Sequence, residues 1–406
     1  MSRIGIPKEI LVEEKRVAAT PETVKKYVKM GFTVTIQAAA GEGIYVSDDD
    51  YRKAGAAVVP SAEELFAASD VILKVKQPVF NAATQKHEAE MLREGSLLIT
   101  FLHPAAPANH PLVLMLQERN ITSFTMDGIP RISRAQRMDA LTSMSTVTGY
   151  RSVLIAANHL SKFVPMIGTA IGMVKPAAFL IVGAGVVGLQ AAATAKRLGA
   201  VVKVVDIRDE ARKEAASLGA KVAGFEVPPE LALGDGGYAK ALPESWLKKE
   251  REALDPLVKE ADVLILSALV PGEIAPVLIT QQMVEAMNPG SVIVDVSIDQ
   301  GGNCELTKLG CFAEKKGVSI CGIANIPGQM AVPASWLYAN NMYYYVENLF
   351  KKGLDRPDLE DDIVQRSLVT HERRIFFEGA LKAMGASLGT LPPSTAKEVG
   401  KGEIHG

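Results

Sequence analysis

Cysteine is scarce in this chain: three residues in 406, Cys304, Cys311 and Cys321, with no C-x-x-C pair among them. An odd, unclustered set argues against a disulfide framework and fits a reducing compartment. No group of His and Cys stands at ligand spacing, so no metal site is expected. An excess of one charge sign is also missing, because 44 Lys and Arg face 46 Asp and Glu for a net charge of −2. That balance gives no reason to expect nucleic acid as a partner, and no charge block marks a disordered binding tail. Long apolar runs are absent as well. The longest apolar region, Val164 to Gly183, is broken by Lys175-Pro176 and is too short on either side to span a bilayer. No direct membrane insertion is therefore expected. The opening residues, Met1-Ser-Arg-Ile-Gly-Ile-Pro, read as a first strand and not as a signal peptide. A cytoplasmic protein is the expectation.

What is present is a soluble globular composition, 48% apolar and 22% charged, in a chain longer than one ordinary core. Short β-rich runs alternate with helical patterns from the start. Strands are predicted at Arg3–Ile6, Thr33–Gln37, Ala57–Val59, Val71–Val75, Ser96–Phe101 and Ile121–Thr125. Thr20 caps a helix with Pro21 at its first position, and Ser61 with Glu64 reads as a capping box. A long helix from about Ser145 to Phe163 follows, with Gly149 tolerated near its start. Six further strands are predicted at Ala178–Val182, Val201–Val205, Val222–Phe225, Val263–Ser267, Val292–Val296 and Val318–Ile323. A last helix, Ala334 to Lys352, is long enough to cross back. The alternation implies parallel sheets covered on both faces. The fold class expected is α/β: two doubly wound Rossmann-like domains with an inter-domain cleft, the N-terminal one discontinuous. Its parts are residues 1–143 and 326–385, the second domain covers 144–325, and 386–406 form a flexible tail.

The most specific motif lies at the start of the second domain. Leu180-Ile181-Val182 runs directly into Gly183-x-Gly185-x-x-Gly188 and a helix, and the next strand ends in Asp206. Gly183 permits the tight turn, Gly185 lets backbone approach a pyrophosphate, and Gly188 lets helix and strand pack closely. The anion then sits on the free N–H groups of the helix start, at Val186 and Val187. Asp206 is placed to accept from an adenosine ribose and to repel a 2′-phosphate, so NAD(H) is the cofactor expected. Arg208 stands close enough in sequence to leave a 2′-phosphate open as an alternative. With Ile207 it completes the ribose end of the predicted site.

NAD enzymes place the nicotinamide near the carboxyl ends of later strands. Here those ends carry Ser267-Ala268-Leu269, Asp299 with Gly301-Gly302, and Asn325. Asp299 reads equally as a turn-forming acid before glycines. In the first domain, His103 follows the strand that ends at Phe101, Lys76 ends the strand Val71–Val75, and Arg16 sits just before the first helix. Singly they read as loop residues; together they line one cleft wall, with Arg16 a carboxylate clamp, Lys76 a carbonyl polariser and His103 a proton carrier. The segment Pro130 to Asp139 carries Arg131, Arg134, Arg137 and Gln136 between the domains. Its ordinary reading is a solvated loop, its functional one a cofactor contact. The glycine-dense Leu233 to Lys240 reads either as a bare insertion or as a lid tipped by Tyr238.

Almost the whole length resembles the NAD(H)-binding domain I of proton-translocating nicotinamide nucleotide transhydrogenase, in the superfamily shared with alanine dehydrogenase. The resemblance is carried by Arg131-Ile-Ser-Arg-Ala-Gln136 with Asp139, Gly236-Gly-Tyr-Ala-Lys240, Gly301-Gly-Asn-Cys304 and Leu337-Tyr-Ala-Asn-Asn341. It implies that Arg131, Gln136 and Asp139 contact nicotinamide and ribose, and that Gly237 and Tyr238 belong to a loop closing over NAD(H). It implies as partners an NADP(H)-binding subunit, membrane proton-channel subunits and a second copy of the chain, with a location peripheral to the inner membrane through those subunits. Thr142 departs from the pattern, which has serine there. Arg16, Lys76, His103 and Asp299 match instead the catalytic set of alanine dehydrogenase, and the last three positions usually hold other residues in transhydrogenases. Two enzyme readings therefore stand beside a third, a dinucleotide-binding regulatory protein. Hydride exchange between two nicotinamides needs positioning, whereas reductive amination of a 2-oxo acid needs a clamp, a polariser and a proton shuttle.

Overall fold

The computed structural model describes residues 2–234, 239–270 and 274–385. Two sheets are built on the same plan. In the eight-stranded first sheet the order from one edge is Ala57–Val59, Thr33–Gln37, Arg3–Ile6, Val71–Leu73, Leu97–Thr100 and Thr122–Thr125, all parallel. Leu368–His371 and Arg374–Ile375 complete the far edge, each antiparallel to its neighbour. In the seven-stranded second sheet Lys221–Val222, Val201–Val205, Ala178–Val182, Val263–Leu266, Val292–Asp295 and Val318–Cys321 are parallel. Phe312–Lys315 is its antiparallel edge. Each unit starts in mid-sheet, winds to one side, returns and winds to the other. That creates one topological switch point per sheet, where ligands of open α/β sheets bind. In the first sheet it lies between Arg3–Ile6 and Val71–Leu73, in the second between Ala178–Val182 and Val263–Leu266.

The local reasons are readable. Central strands such as Val263–Leu266 and Val292–Asp295 are buried throughout, which is why they read as unbroken apolar runs rather than alternating ones. Helix Pro21–Met30 opens with the expected cap: Thr20 accepts the Thr23 N–H, and the Thr23 hydroxyl accepts the Thr20 N–H at 2.9 Å. It stops at Gly31, whose φ of 100° an L side chain resists. Ser61 supplies its own half of the capping box, accepting the Glu64 N–H at 3.1 Å.

Three of the expected elements shift by three residues or more at an end. The long helix spans Ala140–His159, because Asp139 caps it by accepting the Thr142 N–H. The strand expected at Val222–Phe225 is Lys221–Val222, since Gly224 at φ 107° turns the chain away. The last long helix is Ala331–Leu349, with Pro333 in its first turn, where a missing N–H leaves no bond unmade. Its residues Ala334, Tyr338, Met342, Tyr345 and Leu349 are buried among Ile4, Val34 and Phe124 of the first sheet. The first unit is thus discontinuous, completed by chain that follows the second sheet. Gly149 is more than tolerated: a Cβ there would stand 2.3 Å from the Val187 carbonyl, so it sets how closely helices Ala140–His159 and Val186–Arg197 pack.

Among the described residues no helix is long and apolar enough to cross a membrane, and no cluster of His, Cys, Asp or Glu could hold a metal ion.

Candidate functional site

At the second switch point the three glycines have distinct surroundings. A Cβ on Gly183 would lie 2.6 Å from the Ser267 carbonyl oxygen, and one on Gly188 only 1.8 Å from the Gly183 oxygen. Both positions are closed by backbone. A Cβ on Gly185 would meet nothing within 4 Å, and Gly185 begins helix Val186–Arg197 without any side-chain cap. Uncapped N–H groups beside open space, at the positive end of a twelve-residue helix, fit a pyrophosphate.

Asp206 ends its strand as expected, buried at 7% exposure, but its carboxylate is not free. One oxygen accepts the Ala184 N–H (2.7 Å) and an Arg208 Nη (2.9 Å); the other accepts the Arg208 N–H (2.8 Å) and Nε (3.0 Å). The arginine that could have met a 2′-phosphate instead closes on the acid. Ile207 packs into a small apolar cluster with Val227, Ala232 and Leu242. Across the switch point the Ser267 hydroxyl donates to Gly183 O at 3.0 Å. Asn303, from the Gly301–Cys304 segment, sets the next backbone: it accepts from Ala268 N at 3.0 Å and donates to Ala268 O at 2.9 Å. Asn303 is itself held by buried Asp295, which accepts its N–H (2.9 Å) and that of Cys304 (3.0 Å). Leu269 lies half-buried beyond this pair.

The first switch point is lined by charge. Arg16 is 3% exposed and tied to Glu14, Nε to Oε1 at 2.8 Å and Nη2 to Oε2 at 2.5 Å. Its Nη2 also donates to Asn325 Oδ1 at 2.9 Å, and Asn325 donates back to Glu14 at 3.0 Å. Asn325, at φ 52°, therefore locks the crossing between the two units. Glu14's carboxyl would be raised by burial, but the hydrogen bonds and charge of Arg16 hold it below the usual range. Lys76 stands beside Arg16, Glu14, Asp299 and Asp127; burial, then the Arg16 charge, hold its ammonium below the ordinary lysine value. His103, at φ 45°, faces Asp127 at 2.9 Å and stacks on Phe101. Asp127's burial works against ionisation, yet His103 and Thr125 keep its carboxyl low. Arg16, Lys76 and the His103–Asp127 pair thus gather on the first unit, Lys76 also feels the charge of Asp299 from the second, and Glu14 and Asp127 are partners that pattern reading missed.

Behind that wall lies a buried ionic triad. Lys74, fully buried, reaches Glu88 at 3.0 Å and Glu9 at 3.3 Å. Glu9 accepts the Val75 N–H (2.6 Å) and Glu88 the Val79 N–H (3.0 Å), so the two acids bracket Lys76 along the chain. Thr100 donates to the Lys76 carbonyl at 2.9 Å. The Lys76 carbonyl and the backbone before and after it are therefore held.

Two arginines of the segment act as anchors. Arg134 pairs with Asp361 at 2.7 Å and also with Asp362, and Arg137 lies over the Tyr344 ring at 3.5 Å. These pin the turn to the first unit. Arg131 and Gln136 are exposed. Asp139 and Thr142 form one pair, the Thr142 hydroxyl donating to Asp139 at 2.6 Å. Gly237 and Tyr238, and the tail 386–406, lie outside the described residues.

Comparison with known proteins agrees along nearly the whole chain. Residues 5–148 match the alanine dehydrogenase/PNT N-terminal domain and residues 152–378 the C-terminal domain of the same family. An NAD(P) transhydrogenase alpha-subunit polypeptide of Rhodospirillum rubrum is 41% identical over 95% of this chain and 100% of that protein. The solved transhydrogenase from Sinorhizobium meliloti superposes with a TM-score of 0.80 at 37% identity, over 92% of this chain and all of that one. A solved L-alanine dehydrogenase gives 0.79 at 32% identity, over 94% of this chain and 99% of that one.

Proposed function

The chain belongs to the alanine dehydrogenase/PNT family, and from that premise we propose that it is the NAD(H)-binding catalytic subunit of a proton-translocating NAD(P) transhydrogenase. It passes hydride between NAD(H) and NADP(H) held on a partner subunit. The observation that carries this reading is the match to the full length of the Rhodospirillum rubrum polypeptide. NAD(H) supplies the hydride carrier; the residues of this chain bind and orient it. Gly183, Gly185, Val186, Val187 and Gly188 hold the pyrophosphate, and Asp206, Ile207 and Arg208 the adenosine ribose. Ser267, Ala268, Leu269 and Asn325 take the nicotinamide end. Arg131, Gln136 and Asp139, with Thr142 beside them, contact the nicotinamide and its ribose, and Gly237 and Tyr238 belong to the family's loop over NAD(H). The units divide at 143/144 and 325/326. Purified protein should quench or enhance NADH fluorescence on binding and, mixed with a transhydrogenase NADP(H)-binding subunit, reduce NADP⁺ with NADH. No NADH binding would end this reading.

The partners of this reading are that NADP(H)-binding subunit, membrane proton-channel subunits and a second copy of the chain, placing it in the cytoplasm against the inner membrane. Helix Ala331–Leu349 lays its apolar stripe on the core of the first unit. The hairpin of Ile167–Thr169 and Gly172–Val174 is the better surface, with Ile171 99%, Met173 67% and Met166 57% exposed. Ile171→Asp should shift the protein to monomer in analytical ultracentrifugation; an unchanged dimer would place the contact elsewhere.

A second reading, NAD-dependent alanine dehydrogenase, is favoured by one observation: Lys76 stands among Arg16, Asp299 and the Asp127–His103 pair. There Lys76 would polarise a carbonyl, His103 would carry the proton, and Arg16 would need to loosen from Glu14 to clamp a carboxylate. NADH oxidation with pyruvate and ammonium, followed at 340 nm, separates the readings. Turnover of about 1 s⁻¹ or more, lost in His103→Ala, favours the dehydrogenase; none, with NADH bound, favours the transhydrogenase.

A further inference from the structure

One fully buried side chain ties together the carboxyl ends of the central strands of the second sheet. Asn303 follows strand Val292–Asp295 and the helical turn Val296–Gln300. Its Oδ1 accepts the Ala268 N–H at 3.0 Å and the Ser297 hydroxyl at 2.7 Å. Its Nδ2 donates to the Ala268 carbonyl and to the Pro276 carbonyl, both at 2.9 Å. A side-chain amide carries two lone pairs on oxygen and two N–H groups, and here each one is used. The main chain is held as firmly. The Asn303 N–H goes to Asp295 at 2.9 Å, and its carbonyl accepts the N–H groups of Leu278 and Ile279, both at 2.9 Å.

The pattern calls for an amide. On one side an N–H and a hydroxyl need an acceptor; on the other, two carbonyl oxygens need donors. A carboxylate would set an oxygen against both carbonyls, and an apolar side chain would leave the Ala268 peptide without its partner on either side. The place is informative too. The ladder between Val263–Leu266 and Val292–Asp295 ends at Leu266 and Asp295. Two residues on, in the crevice where ligands of open α/β sheets lie, the Asn303 side chain gives Ala268 the donor and the acceptor that a neighbouring strand would give. Ser267 is fixed differently. Its N–H donates to the Val182 carbonyl at 2.8 Å and its hydroxyl to the Gly183 carbonyl at 3.0 Å. Ser267 thus follows the pyrophosphate turn, whereas Ala268 follows Asn303.

We infer that Asn303 is a positioning residue for the nicotinamide end of the cofactor, holding the Ala268 peptide in place while the pyrophosphate and adenosine end is held independently of it. With all its hydrogen-bonding groups committed, Asn303 acts through Ala268 and not by touching the cofactor. The inference rests on the NAD(H) reading above, in which Ala268 takes the nicotinamide end.

Two ligands separate the ends of the site: NADH, and ADP-ribose, which lacks the nicotinamide ring. Calorimetric titration of the full chain with each should show tighter binding of NADH in the wild type. Asn303→Ala releases the Ala268 peptide on both sides. Ser297→Ala removes one hydrogen bond to Oδ1 and leaves the Ala268 pair made. NADH affinity should fall about tenfold in Asn303→Ala and about threefold in Ser297→Ala, with ADP-ribose affinity within about twofold of the wild type in both. A purely structural role predicts equal losses for the two ligands. Equal losses, or an unchanged ratio of NADH to ADP-ribose affinity in Asn303→Ala, overturn the inference; where that variant does not fold, Ser297→Ala decides in the same way. Wild-type protein that binds NADH no more tightly than ADP-ribose also overturns it. Failure of the wild type to bind either ligand overturns the cofactor site itself, a distinguishable result.

Discussion

The two switch points share a strand order and differ in everything that lines them. The second is made of backbone: two glycines closed against carbonyls, a third facing open space, and an uncapped helix start. The first is made of long charged side chains already paired with one another, Arg16 with Glu14, His103 with Asp127, and Lys74 with Glu9 and Glu88. A backbone cradle offers partial charge without a counter-ion and accepts a large polyanion. A pre-paired wall offers charge only when a pair is loosened, which suits a small substrate or none. One topology thus carries two chemistries, decided by what stands in the crevice.

The contrast can be broken from either side. The largest effect is expected from Lys74→Met, which leaves Glu9 and Glu88 buried without their cation; about 3–5 kcal/mol should be lost in urea unfolding at neutral pH. A loss under 1 kcal/mol would mean the triad is hydrated. Next comes a pair at the cradle. Gly188→Ala forces a Cβ to 1.8 Å from the Gly183 oxygen and should cost about 3 kcal/mol. Gly185→Ala, with open space around its Cβ, should leave stability within about 0.5 kcal/mol while NADH affinity falls at least about tenfold, or 1.4 kcal/mol. Equal effects of the two would erase the distinction between closed and open glycines.

Glu250 sharpens the comparison because it brings a buried acid to the backbone-built side. Its carboxyl rises from 4.5 to about 7 through burial first and Asp206 second. Folding therefore binds this proton more tightly. The stability it contributes is complete below pH 4.5 and is lost as pH rises through about 7. At 1.36 kcal/mol per pH unit, the rise from 4.5 to about 7 makes the loss at most about 3.4 kcal/mol. Glu250→Gln should match the wild type at pH 4 and exceed it in Tm at pH 8; a constant difference would assign the residue no titration. The smallest effect is expected from Arg134→Ala. Its pairs with Asp361 and Asp362 are half-exposed on the arginine side, and Lys351 also reaches Asp361 at 2.6 Å. A loss of about 1 kcal/mol or less should appear in denaturant titration, and a larger one would make the arginine turn a keystone of the first unit.

Much of the fold was legible in the residues because its causes are local. Thr20-Pro21 marks a helix start, Val263-Leu-Ile-Leu266 a doubly covered strand, and Gly183 to Asp206 a strand, turn, helix and strand whose meaning is complete within one βαβ unit. Backbone sterics and hydrogen-bond satisfaction impose those patterns over a few turns of chain, so sequence alone determined the α/β class, the return of the last helix to the first unit and the place of the dinucleotide turn. The partners of the charged residues were not legible. Arg16 meets Asn325 across 309 residues, and Arg134 meets Asp361 across 227. Gly149 reads as a tolerated flaw until the Val187 carbonyl arrives beside it, and nothing along the chain marks Glu250 until Asp206 does. Those meetings depend on how elements distant in sequence pack within and between the two units, and only the tertiary structure decided them, because a charge takes its meaning from what shares its low-dielectric surroundings and not from its neighbours along the chain.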